Sequence, residues 1–122
     1  MSKKYFLQRN PVQIPVPDNK TILEHFGNAS LQAGGFSVAH MKAPSGWGEP
    51  FQTPDFDEVT FVIRGKKQFE IDGEVIILGS GESICVKAGT RVRYSNPFPE
   101  ECEYLSFCTP AFSIDLVHRE AE

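Results

Sequence analysis

Histidine, cysteine and concentrated positive charge are all scarce in this chain, and each scarcity removes a class of function. There are three histidines and three cysteines in 122 residues. Cys85, Cys102 and Cys108 are odd in number and show no C-x-x-C spacing, which argues against a zinc ribbon or a dithiol redox centre. Cys85, within an apolar run, is expected to be a small core hydrophobe. Twelve Lys and Arg face sixteen Asp and Glu, for a net charge of -4. Phosphate backbones need clustered cations, and the one local pair, Lys3 and Lys4, is too little, so no nucleic-acid partner is expected. No apolar run approaches the roughly 20 residues that span a bilayer. Met1 to Asn10 has no apolar h-region, so no membrane partner and a reduced, cytoplasmic setting are expected. No Ser stands in a G-x-S-x-G elbow, and Gly79-Ser-Gly81 is too short for a phosphate loop.

Turn residues are plentiful instead: ten Gly and nine Pro punctuate short apolar runs. Phe36 to Met41, Val59 to Ile63, Lys67 to Ile71, Val75 to Leu78, Ser83 to Lys87, Arg91 to Ser95 and Tyr104 to Cys108 read as strands. Asp72-Gly73 between two of them is a strong hairpin signal. Closely spaced short strands with Gly and Pro turns predict an all-β sandwich or barrel. Residues 1–33 read as an arm followed by a short helix. In the arm Val12, Ile14 and Val16 alternate among Pro11, Pro15 and Pro17, and the helix spans Asp18 to Phe26 with Gly27 as its stop. Residues 34–109 form the barrel core. Residues 110–122 are a tail, with one helical turn expected between Ser113 and Arg119. At 122 residues the chain is expected to be one domain with its own core.

Two stretches carry a more specific frame. Gly46 is followed by Gln52, Pro54, Glu58 and Gly65. Gly81 is followed by Lys87, Gly89, Val92 and Asn96. In that spacing the chain resembles the cupin superfamily, whose first motif is a Gly, a His-x-His pair, a Glu and a Gly, and whose second ends in a His and an Asn. The resemblance implies a double-stranded β-helix, the jelly-roll barrel, with short helical turns at the termini. It also shows a departure. Gln52, Pro54 and Val92 occupy the positions where family members place three histidines. Proline and valine ligate nothing, and one amide with one carboxylate is too few donors for a tight transition-metal site. No metal and no cofactor are therefore expected. In this replacement of histidines the chain is similar to the cupins of ethanolamine utilisation.

The candidate site residues follow from that frame. Glu58 should point into the barrel with Thr60 and Val62, by the period of two. A carboxylate in an apolar cup has its pKa raised by desolvation and suits acid/base work or the grip of a ligand amine or hydroxyl, whereas an ion pair with an inward cation would make it structural. Tyr94, two residues past Val92, shares the inward face and is the candidate partner acid. Gln52 offers an amide. His40, in phase with Phe36 and Val38, is the imidazole expected to turn inward, where it could complete an atypical metal set with Glu49, Gln52 and Glu58. Trp47 and Phe51 form a candidate lid, and Asp55 and Asp57 add acidity near Glu49. Arg91 and Arg93 should face outward. The leading expectation is a binder of a small polar metabolite. The alternatives are a cupin enzyme (a metal-free isomerase or epimerase, or an atypical-metal lyase or dioxygenase) acting on a small sugar or carboxylate, and a structural assembly subunit. A homodimer is expected, with the Val12–Val16 arm laid on the partner's sheet.

Overall fold

A computed structural model describes residues 4–121. It is almost entirely β: β1 (Val12–Gln13), β2 (Thr21–Phe26), β3 (Ser37–Ala43), β4 (Asp57–Arg64), β5 (Lys67–Ile71), β6 (Glu74–Leu78), β7 (Ser83–Val86), β8 (Arg93–Ser95) and β9 (Cys102–Thr109). One 3-10 turn, Ile114–Leu116, lies in the tail where a helical turn was expected, capped by the Ser113 hydroxyl. The strands form two antiparallel sheets. The larger runs β1-β2-β3-β9-β4-β7 and the smaller β6-β5-β8. This is the jelly-roll barrel that the motif frame implied. Among the described residues no helix is long and apolar enough to cross a membrane.

The turns follow their chemistry. Asp72 and Gly73 both take positive φ, 51° and 77°, the mirror-image turn whose twist matches β5 and β6. Gly65 has φ 80°, and a Cβ built there would lie 2.4 Å from the carbonyl oxygen of Glu101. Only glycine lets the end of β4 pass that close to the start of β9. The motif asparagine, Asn96, is fully buried. Its side-chain amide donates to the carbonyls of Ala43, Pro44 and Glu100 at 2.9 to 3.2 Å, which ties the end of β3 to the loop between β8 and β9.

The Asp18 to Phe26 segment is a strand, not the helix its capping pattern suggested. Helices this short are marginal in water, and Thr21 to Phe26 gains ladder hydrogen bonds on both sides, to β1 and to β3. Asp18 still caps, but in another way: its carboxylate accepts from the Lys20 backbone N–H and from the Trp47 indole at 2.8 Å. The alternation then places Ile22 and Glu24 toward the space between the sheets. Glu24 is only 6% exposed, held by the Ala29 N–H and the Ser30 hydroxyl. Cys85 also departs from expectation. It is exposed on the outer side of β7, whereas Cys102 and Cys108 are the buried thiols.

One end of the barrel is filled by Val62, Phe69, Leu78, Val86, Val92, Cys102 and Tyr104. The other end is not filled, and there the two sheets enclose an open cavity.

Candidate functional site

The cavity has a volume of about 570 Å³. Its walls come from the inward rows of the strands. β3 contributes Ser37, Ala39 and Met41, β4 contributes Glu58, and β9 contributes Tyr104, Ser106 and Cys108. The smaller sheet supplies Lys67 from β5 and Tyr94 from β8. The arm closes the rim with Ile14 to Asp18 and Lys20, and the segment after β3 adds Glu49 and Gln52.

Two polar groups of opposite character line this space. Glu58 is the centre of the first. The Tyr94 hydroxyl donates to its Oε1 at 2.7 Å, and the Ser106 hydroxyl donates to its Oε2. Among the described residues no cation stands within ion-pair distance of Glu58, so the carboxylate is held by the two hydroxyls with the Cys108 thiol beside it. Burial, and then the adjacent Glu58 charge, raise the Tyr94 phenol well above the ordinary tyrosine value. The same two causes raise the Cys108 thiol, which keeps it protonated rather than a thiolate.

The second group is cationic. Lys20 Nζ lies 3.3 Å from Glu49, and Arg119 lies 2.8 Å from the other oxygen of the same carboxylate. Lys20 also sits 4.4 Å from the Trp47 ring centre. Burial works against the Lys20 charge, but Tyr104 and Glu49 outweigh it and leave its pKa above the usual lysine value. Lys67 differs. It is 3% exposed, and among the described residues no carboxylate pairs with it. Its ammonium lies over aromatic rings, 3.7 Å from the centre of Tyr104 and 4.6 Å from that of Tyr94. Burial, and then the neighbouring Lys20 charge, push its pKa down to about 8. Burial pushes Tyr104 up to about 12 against the pull of Lys20. Three buried oxygens, Gln52 Oε1, the Tyr104 hydroxyl oxygen and Glu49 Oε2, have no hydrogen-bond partner of good geometry among the described residues, the last being met only by the Arg119 charge at 2.8 Å. Such groups are costly to leave unmet.

Four of the residues expected from sequence line this cavity: Glu58, Tyr94, Gln52 and Glu49. Two do not. His40 sits on the opposite side of β3 from Ala39 and Met41, with its Nε2 2.6 Å from Glu103. The phase set by Phe36 and Val38 points outward because the outer side of this sheet is itself apolar. Trp47 is packed in the filled end of the barrel and forms no lid, while Phe51 lies under the Arg91 guanidinium, 3.8 Å away. Arg91 faces out and pairs with Glu120, as its alternation with Val92 implies. The acidic residues near Glu49 are dispersed: Asp57 binds Lys87 and the Ala88 N–H, and Asp55 binds His118. Sequence reasoning passed over Lys20, Lys67, Tyr104, Ser106 and Arg119. For Lys67 a signal existed, since it is in phase with Phe69 and Ile71 on β5.

The positions that hold histidines in the family's motif pattern do meet in space. Gln52 and Val92 exchange both backbone hydrogen bonds, at 2.9 and 2.8 Å, and Pro54 accepts from Gly89. Their side chains supply one amide oxygen between them. Among the described residues no three His, Cys, Asp or Glu side chains are grouped to hold a metal ion. The donor set does not fit the transition metal that the fold family carries.

The chain belongs to the cupin family: the cupin domain profile matches residues 39–108. It is 42% identical over 107 residues to a Myxococcus xanthus protein named endoribonuclease YbeY; that match covers 88% of this chain and 36% of the other, so the chain spans about a third of that relative. Among solved structures, a variant of Streptomyces PAC13 with uridine aligns over 98% of this chain and 92% of its own, with a TM-score of 0.75 at 15% identity. Another structure of Pac13 is described as that of a nucleoside dehydratase. A Salmonella typhimurium ethanolamine utilisation protein aligns over 76% of this chain and 71% of its own, with a TM-score of 0.57 at 16% identity. At these identities the structural likenesses establish the fold.

Proposed function

We propose that this protein binds a small polar metabolite inside the barrel, without a tightly held transition metal, and that Glu58 anchors it. The observation that carries the reading is the open cavity of about 570 Å³ lined by both a carboxylate fixed by two hydroxyls and a lysine without an ion pair among the described residues. A barrel used only as a scaffold for assembly has no need of that space or of those polar groups. Gln52 supplies an acceptor and Tyr94 a hydroxyl to the same ligand.

The Glu58–Tyr94 hydrogen bond favours a second reading, acid/base catalysis without metal, in which Glu58 takes a proton from carbon or oxygen. The dehydratase among the structural neighbours is a cupin of the same extent, which makes nucleosides the first ligands to try. Uridine, added in large excess, is expected to raise the melting temperature by several degrees, the shift that saturating ligand produces. A melting temperature that moves with neither uridine nor any of a panel of nucleosides and small sugar acids refutes the reading.

Protein purified without chelators is expected to carry well under one equivalent of iron, nickel, manganese or zinc, because Pro54 and Val92 supply no ligand. One equivalent surviving dialysis, measured by elemental analysis, would overturn this.

A homodimer is also proposed, through a surface other than the arm. β1 pairs with β2 of the same chain, and Ile14 and Val16 line the cavity of their own barrel. The outer side of the larger sheet instead exposes Val59, Phe61, Leu105 and Phe107, each 37 to 41% accessible. Val59 pairs with Phe107 and Phe61 with Leu105 across β4 and β9, so the four form one patch. A second copy with the same patch covers it by two-fold symmetry. Light scattering should give twice the 13.6 kDa chain mass, and Phe61→Glu should return the monomer. A monomeric wild-type chain at micromolar concentration sinks the proposal.

A further inference from the structure

Lys67 is the group in the cavity that ligand binding by Glu58 leaves unused. Lysine at the inward position of a central strand is expensive, since an ammonium removed from water normally keeps a carboxylate beside it. Here Glu49 is engaged by Lys20 and Arg119, and Glu58 by Tyr94 and Ser106. Lys67 is left with the π faces of Tyr104, Tyr94 and Phe69, at 3.7, 4.6 and 5.2 Å. A desolvated amine beside a second, firmly charged lysine is the arrangement that makes a nucleophile of lysine.

We infer that Lys67 is the covalent handle of this cavity and that its amine forms an imine with an aldehyde or ketone group of the ligand. The inference rests on the cavity being a ligand site and adds the chemical class of the ligand, a small polar carbonyl compound. Neutral Nζ bonds to the carbonyl carbon, and the C=O electron pair moves to oxygen. The two amine protons leave with that oxygen as water, and one further proton from solvent gives the iminium. No oxidant or reductant takes part. The three rings that surround the ammonium also surround the iminium, which is cationic at the same nitrogen. The Glu58 carboxylate lines the same space and is free of ion pairs, so it is placed to take a proton from the carbon next to the iminium.

The titratable groups facing Lys67 are Lys20 from the arm, Glu49, Glu58 from β4, Tyr94 from β8, and Cys102 and Tyr104 from β9. Burial and the Lys20 charge bring the pKa down to about 8 against Glu58, Glu49 and Cys102, which act to raise it. At pH 7.5 about a quarter of such an amine is neutral, against about one part in a thousand for an ordinary lysine.

Reductive trapping tests this on the wild-type full chain. Glyceraldehyde and sodium cyanoborohydride are added at pH values from 6.5 to 9.5, roughly the range over which the two kinds of amine differ, and each lysine is followed by peptide mass spectrometry. Lys67 should gain the secondary-amine adduct at least about tenfold faster than Lys42, Lys66 and Lys87 at pH 7.5, with a rate that levels off above about pH 8. Lys67→Met, a change that keeps length without the amine, should leave only the slow surface reaction. Equal labelling of all lysines, or a Lys67 slower than the surface ones, overturns the inference. If Lys67 stays unlabelled while uridine still shifts the melting temperature, imine formation fails and ligand binding stands. Selective labelling without any ligand-induced shift separates the two in the other direction.

Discussion

Glu58→Gln is expected to leave the fold within about 1 kcal/mol of the wild type and to lower ligand affinity or turnover by at least about 100-fold. The structure separates these effects because Glu58 has hydroxyl partners and no ion pair. A glutamine keeps the volume and one acceptor oxygen for Tyr94 or Ser106. The new amide N–H group meets a hydroxyl that rotates to accept. Had a buried Arg or Lys been paired with Glu58, the same substitution would strand that cation and cost about 3 kcal/mol or more. Chemical denaturation alongside ligand titration decides the matter. A stability loss of that larger size, with binding intact, would make Glu58 a structural residue and end the reading of this cavity as a ligand site.

Lys67→Met is expected to be more stable than the wild type at pH 7 by about 2 kcal/mol, and the advantage should shrink as pH rises. The folded pKa of Lys67, about 8, lies below the ordinary lysine value of 10.5. Below pH 8 both folded and unfolded chains carry the proton, and the folded state bears the full cost of the buried charge. Between pH 8 and 10.5 the unfolded chain binds more protons, so wild-type stability rises with pH through this window. The variant lacks that slope. Tyr104, raised to about 12, acts oppositely above pH 10, where the unfolded chain loses the phenolic proton first, but it does so in both proteins. Urea unfolding of both chains between about pH 6 and 10 measures the difference. A variant less stable than wild type at pH 7 would show that the rings of Tyr104, Tyr94 and Phe69 stabilise the ammonium outright, and a lysine so held would be a poor nucleophile.

Both predictions concern inward residues, and it was the inward phase that the sequence showed unevenly. On β5 the row Lys67, Phe69, Ile71 alternates with Gln68 and Glu70, so the buried side is plain from polarity. On β9 polarity misleads. Leu105 and Phe107 are the exposed residues, while Tyr104 and Ser106 face the cavity. On β3 the same inversion put His40 outside with Val38. The outer face of the larger sheet is as apolar as a core, so alternation there has no sign.

The sequence by itself determined every strand but β1 and β2, the Asp72-Gly73 hairpin, the jelly-roll frame and the poverty of metal ligands at Gln52, Pro54 and Val92. These are local matters of turn chemistry, spacing and side-chain type. Only the tertiary structure decided that Thr21 to Phe26 is a strand, since ladder partners on both sides outweigh a weak helical preference. Only the tertiary structure brought Lys20, Glu49 and Arg119 into one cluster and left Lys67 beside Tyr104 without a counter-charge. Which charges pair depends on distances between residues dozens of positions apart, and those are set by how two sheets close on each other.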